Sequence, residues 1–144
     1  MIAINDLVLT EGNAGTKAFV FTLSLLHAST RSTTVDYATA NGTASSASDY
    51  TAAANTVTFA AGQTSQTVTV AVTGDTTSEP HETFFLNLSN PTNGTIDDTQ
   101  GQATIQNDDG VLSIDSVTLS EGDSGAKNFV FTVSLADASA LPIA

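Results

Sequence analysis

The sequence predicts an all-β fold, a sandwich or barrel of short strands, and three observations predict it. Apolar residues recur at every second position over several segments, the period of a half-buried strand. Turn signals such as Asn41-Gly42 interrupt these segments every ten or so residues. No segment carries the period of a helix.

Taken in order, the first strand is irregular. Ile2 and Ile4 are apolar at even positions, Leu7 and Leu9 at odd ones. A change of parity within one strand implies a bulge, or a split strand that moves to another sheet. Phe19, Phe21, Leu23 and Leu25 then alternate with Ala18, Val20, Thr22 and Ser24. Val35 and Tyr37 mark a third strand ending at Asn41-Gly42, and Val57 and Phe59 a short fourth. Val68, Val70 and Val72 form a fifth, Phe84, Leu86 and Leu88 a sixth, and Ala103 and Ile105 a seventh.

The segment Ile4 to Ser29, INDLVLTEGNAGTKAFVFTLSLLHAS, returns as IDSVTLSEGDSGAKNFVFTVSLADAS from Ile114 to Ser139. The repeat has a period of about 110 residues, which marks a tandem array. Residues 1-110 read as one complete domain and 111-144 as the truncated start of the next, holding its first two strands.

Composition narrows the chemistry. Lys and Arg total 3 against 15 Asp and Glu, a formal charge of -12. Phosphate would be repelled, so no nucleic-acid partner is expected. There is no cysteine, hence neither disulfides nor thiolate metal sites. No apolar run approaches the roughly 20 residues of a membrane helix. The N-terminus has no basic region followed by an apolar core, so it does not read as a signal peptide.

Strand direction sorts the acids. If successive strands of an antiparallel Greek-key sandwich alternate up and down, the first, third, fifth and seventh end at one pole. Glu11, Asp49, Asp75, Glu79, Glu82, Asp108 and Asp109 then share that pole. Pro80 keeps Glu79 out of helical backbone. Asp97 and Asp98 fall at the other end as a solvated turn, Asp6 and Asp36 read as surface charges, and His27 and His81 as loop residues without a role. Crowded carboxylates destabilise a fold unless a cation screens them. Ca²⁺ takes about 6–8 oxygen ligands from carboxylates and carbonyls, which loops supply, and Mg²⁺ demands a stricter octahedron. Zinc prefers His or Cys, and the two His are isolated.

The pieces Glu11-Gly12, Ser48-Asp49-Tyr50, Asp75-x3-Glu79-Pro80-x-Glu82-x-Phe84 and Asn107-Asp108-Asp109-Gly110 together resemble a Calx-beta domain. The resemblance covers all of 1-110 and the start of the next copy. It implies an immunoglobulin-like Greek-key β-sandwich of about seven antiparallel strands binding Ca²⁺ at one end. The ligands it implies are Glu11, Asp49, Asp75, Glu79, Asp108 and Asp109, with Glu82 and Asn107 expected behind them. Regulatory members of the family carry acids where this chain has Gly74, Thr76 and Asn107. Two or three ions are therefore expected.

The function expected is a calcium-binding structural repeat of an extracellular or cell-surface stalk, of the kind found in bacterial surface proteins. Asp108 and Asp109 precede Gly110 and the next copy, so calcium there would stiffen the junction between adjacent repeats. The alternative is an adhesion module for a carbohydrate or a host or matrix protein, with Phe85 as its one exposed aromatic candidate. An enzyme is not expected, because the acids crowd a loop pole without a recognisable nucleophile or cleft. Three Asn-x-Ser/Thr triplets, at Asn41, Asn87 and Asn93, match the glycosylation pattern. The alternating Phe129, Phe131, Val133 and Leu135 predict self-association through 111-144, because exposed apolar strands with unpaired edges invite another chain.

Overall fold

The computed structural model describes residues 1–135, and the part of the predicted second copy at 136–144 lies outside the described residues. Ten strands follow one another: β1 (Ile2–Ile4), β2 (Leu7–Thr10), β3 (Thr16–Leu25), β4 (Thr33–Asn41) and β5 (Ala54–Phe59), then β6 (Ser65–Thr73), β7 (Glu82–Thr92), β8 (Gln100–Gln106), β9 (Leu112–Ile114) and β10 (Val133–Leu135). The first eight build a sandwich. One sheet has the order β1-β3-β6 and the other β2-β8-β7-β4-β5. The short fourth strand, β5, belongs to the larger sheet through its pairing with β4.

The parity break at the start of the chain is a change of sheet. β1 pairs antiparallel with β3, and β2 then joins the other sheet beside β8. Two adjacent side chains make the handover. Asn5 Oδ1 accepts the Thr22 N–H of β3 at 2.6 Å, and Asp6 Oδ1 accepts the Gln102 N–H of β8 at 2.8 Å. The β2–β8 pair is parallel, where an all-antiparallel sandwich was expected. The reason lies in strand direction: the first and seventh strands of an alternating series run the same way, so they can only meet in parallel.

The core lies between the sheets. Phe19, Phe21 and Leu23 of β3, Val70 and Val72 of β6, and Phe84 and Leu86 of β7 are completely buried. Each contributes about 1.5–3 kcal/mol by leaving water. Phe84 is the centre of an aromatic group. It stacks on Tyr50 with centroids 4.4 Å apart, and the Phe19 and Phe21 rings each lie 6.1 Å away.

The second copy begins as a hairpin of β9 and β10, with Leu112 opposite Leu135 and Ile114 opposite Val133. From Val111 to Leu135 every residue is exposed except Val117, which is half-buried.

Candidate metal centre

The core-facing rows of three neighbouring strands run straight into carboxylates. In β2 the row Leu7, Leu9 continues to Glu11. In β8 the row Ala103, Ile105 continues to Asn107 and Asp109. In β7 the row Leu88, Leu86, Phe84 begins at Glu82. Side chains alternate along a strand, so a residue in register with the core row inherits its burial. Glu11, Asn107 and Asp109 are indeed buried, with only 7, 8 and 6 % of their surface exposed, and Asp108, out of phase with the row, is buried as well at 9 %. The strand pairing sets these ends side by side: Glu82 lies opposite Ile105 of β8, and the Glu11 N–H donates to Gln106 O at 3.2 Å.

The acids form two groups. Glu11, Asp108 and Asp109 bring one carboxylate oxygen each to within 4.8 Å of one another, and so do Asp49, Glu79 and Glu82. The first group is held by the turn that follows β2. The Gly12 N–H donates to Asp108 Oδ1 at 3.1 Å, and Asn13 Nδ2 donates to Asp109 Oδ1 at 2.6 Å. The other Asp109 oxygen, Oδ2, is buried without a hydrogen-bond partner. A buried carboxylate oxygen lacking a donor is costly, and it demands a proton or a cation.

The second group is fixed by the aromatic core. Asp49 precedes Tyr50 and Glu82 lies two residues before Phe84, so the Tyr50–Phe84 stack brings the two carboxylates together. The Tyr50 hydroxyl donates to Asn41 Oδ1 at 2.6 Å, and the Ser45 N–H donates to Asp49 Oδ2 at 2.7 Å. Glu82, expected behind the ligands, brings a carboxylate oxygen into this group of three. Asp75 belongs to neither group of three. It is exposed, and its Oδ1 accepts the Thr77 N–H at 2.6 Å in a local turn.

The two groups and Asp75 are one electrostatic system. Burial first, then the charges of Asp75, Glu79, Asp109 and Asp108, push the Glu11 carboxyl up to about 7. Burial and then the hydrogen bond to Asp49 push Glu82 up to about 7 as well. Burial, Asp75 and Asp49 raise Glu79. Burial also pulls Asp49 upward, but the Ser45 N–H, Ser48 and Glu82 outweigh it and hold Asp49 below its ordinary value. Asp49 and Glu82 thus move in opposite directions from their ordinary values.

Gly74, where an acid was anticipated in regulatory relatives, has a steric reason to be glycine. A Cβ there would collide with the Gly12 carbonyl oxygen and lie 2.9 Å from that of Glu11. The close approach seats the end of β6 on the turn that carries Glu11, and the Gly74 N–H donates to Gly15 O at 3.0 Å.

His81, read from the sequence as without a role, accepts the Asn107 N–H on Nδ1 at 3.1 Å. No periodic signal marks it, because it lies outside the strands. Phe85 is half-buried, where an exposed ring was expected. Among the described residues the exposed phenylalanines, Phe129 and Phe131, belong to the second copy. The asparagines of the three glycosylation-like triplets are all engaged. Asn41 Oδ1 accepts from Tyr50, Asn87 Oδ1 accepts from Gln100 Nε2, and Asn93 Nδ2 donates to Ser32 O.

Oxygen donors, net negative charge and an orphaned buried carboxylate oxygen suit a hard divalent cation. Known proteins agree with the architecture. The family model described as Calx-beta domain matches residues 7–111. The fold is similar to the apo-form Calx CBD1 domain, with a TM-score of 0.67 at 23% identity over 75% of this chain and 98% of that one. It is also similar to the calcium binding domain CBD12 of CALX1.1, with a TM-score of 0.69 at 22% identity over 85% of this chain. CBD12 from CALX1.2 gives a TM-score of 0.69 at 21% identity over 80% of this chain. The chain spans about half the length of these last two structures, 54% and 49%. No curated protein sequence matches it.

Proposed function

We propose that this chain, which belongs to the Calx-beta domain family, is a calcium-dependent structural repeat whose acidic pole holds two or three Ca²⁺ ions. The observation that carries the reading is the Glu11, Asp108 and Asp109 group, buried and with Asp109 Oδ2 unpartnered. These three would hold one ion. Asp49, Glu79 and Glu82 would hold another, and Asp75, whose charge acts on Glu11 and Glu79, would lie between them. Bound calcium supplies positive charge where the fold gathers carboxylates. The chain's own part is to bury those carboxylates on strand ends and to fix them with backbone donors.

The role is mechanical rather than catalytic. Asp108 and Asp109 are followed at once by Gly110 and the repeated sequence, so neutralising them stiffens the link to the next copy. An extracellular or cell-surface stalk is the setting that fits a tandem, cysteine-free, strongly acidic chain. Adjacent repeats are its partners, and the exposed apolar residues of 111-135 are the surface for self-association. Adhesion to a carbohydrate or a matrix protein is the weaker alternative, because Phe85 is half-buried.

Thermal unfolding tests the reading. At a calcium concentration 100 times Kd the domain gains about 2.7 kcal/mol, which is several degrees of melting temperature. Superimposable melts in 5 mM calcium and in EDTA would refute it.

A further inference from the structure

We propose that His81 is a positioning residue for the acidic pole, acting through Asn107. The inference rests on the calcium reading above and concerns what keeps the two carboxylate groups in register.

Asn107 stands between the groups and bonds to both. Its Oδ1 accepts the Glu79 N–H at 3.3 Å, on the side of Asp49, Glu79 and Glu82. Its Nδ2 donates to Asp109 O at 2.8 Å, on the side of Glu11, Asp108 and Asp109. An aspartate at this position could not make the second bond, because a carboxylate has no donor. The amide is thus suited to bridging, and a neutral side chain also adds no charge to a crowded pole.

A bridging side chain is only as well placed as its backbone. Asn107 lies just past the end of β8, where the ladder to β7 has stopped at the Glu82–Ile105 pair. The Asn107 N–H would face the 74–81 loop without a backbone partner. His81 Nδ1 accepts it at 3.1 Å. The bond spans 26 residues and joins the loop carrying Glu79 to the strand end carrying Asp108 and Asp109. Among the described residues no backbone–backbone hydrogen bond joins these two segments. His81 itself is exposed and belongs to neither carboxylate group, so its contribution is to hold and not to bind.

Two variants of the whole chain separate this role from others. His81→Ala deletes the acceptor. His81→Asn offers Oδ1 near the place of Nδ1. Calcium titration calorimetry is expected to show binding weakened about three- to tenfold in His81→Ala, the range of one hydrogen bond, and restored in His81→Asn. Amide hydrogen exchange in EDTA gives a readout without metal: the Asn107 amide is protected in the parent and in His81→Asn, and loses protection in His81→Ala. Parent-like binding and protection in His81→Ala overturn the proposal. Equal impairment of both variants overturns it too. A parent that takes up no calcium removes the calcium reading together with this one, whereas a binding parent with unaffected variants removes this one alone.

Discussion

Residues 1–25 and 111–135 are two copies of one repeat, identical at about half their positions, and the structure treats them differently. Their turns are alike. Gly12 and Gly15 have φ of 83° and 72°, Gly122 and Gly125 of 78° and 82°. Lys17 Nζ donates to Thr10 Oγ1 at 2.7 Å, and Lys127 Nζ to the Ser120 carbonyl at 2.7 Å. Asn5 Oδ1 accepts the Thr22 N–H, and its counterpart Asp115 accepts the Thr132 N–H at 2.8 Å. Even the register repeats, Ile2 opposite Leu25 and Leu112 opposite Leu135.

The strands are not alike. β3 runs for ten residues because β6 pairs along almost all of it. β10 keeps three. The counterpart of β2, around Val117 to Ser120, is not a strand, and in the first copy β2 exists by pairing with β8. Glu11 is buried beside Asp108 and Asp109, while Glu121 is exposed. Left-handed glycines and side-chain bridges are local and cheap to reproduce. A full-length strand and a buried carboxylate need partners from distant sequence.

The largest expected effect tests that contrast on one side chain in two places. Phe21→Ala opens a cavity in a completely buried site and should cost about 3–5 kcal/mol in urea unfolding. Phe131→Ala, at the same place in the repeat but 53 % exposed, should change unfolding by less than about 0.5 kcal/mol. A large loss from Phe131→Ala would mean that the second face is covered in solution, and light scattering would then show self-association.

Next come the carboxylates. Asp109→Ala should remove most of the calcium-induced rise in melting temperature, since it deletes the buried unpartnered oxygen. Asp75→Ala, exposed and turn-bound, should reduce it less. Glu11→Gln should abolish most of the response and Glu121→Gln none of it. Equal responses in the last two would break the contrast between the copies.

The pH dependence is smaller and has a defined sign. Glu11 and Glu82 ionise near 7 in the fold, above the ordinary carboxyl value of 4.5. The metal-free folded state therefore holds more protons than the unfolded chain between these values, and its stability falls as pH rises. The melting temperature in EDTA should drop from pH 5 to pH 8. The increment from calcium should grow over the same interval, as protons cease to compete. The lowered Asp49 acts in the opposite sense, but below its ordinary 3.8 and outside this window. Glu11→Gln should flatten part of the EDTA profile, and Glu121→Gln should leave it as it was.

The smallest expected effect is none: Asp97→Ala, at the other end of the sandwich, should leave the calcium response intact. A change would mean that the acids act through total charge and not through place.

The alternation of Phe19 to Leu25 and of Val68 to Val72 was enough to determine strands, because a period of two with polar partners suits little else. The parity break after Ile4 determined that the first strand divides, and strand direction determined that seven acids share a pole. The core parity of Glu11 and Asp109 was also present in the sequence, and it is the signal that foretells their burial. Only the tertiary structure decided how the acids divide into two groups, that Glu82 stands with Asp49 and Glu79, and that Asn107 bonds to Glu79 and Asp109 while His81 accepts the Asn107 N–H. It alone decided how far each strand extends. The physical reason is range: alternation and turn geometry are set by neighbours a few residues apart, whereas burial and charge coupling arise between residues as distant as the 96 separating Gly12 from Asp108.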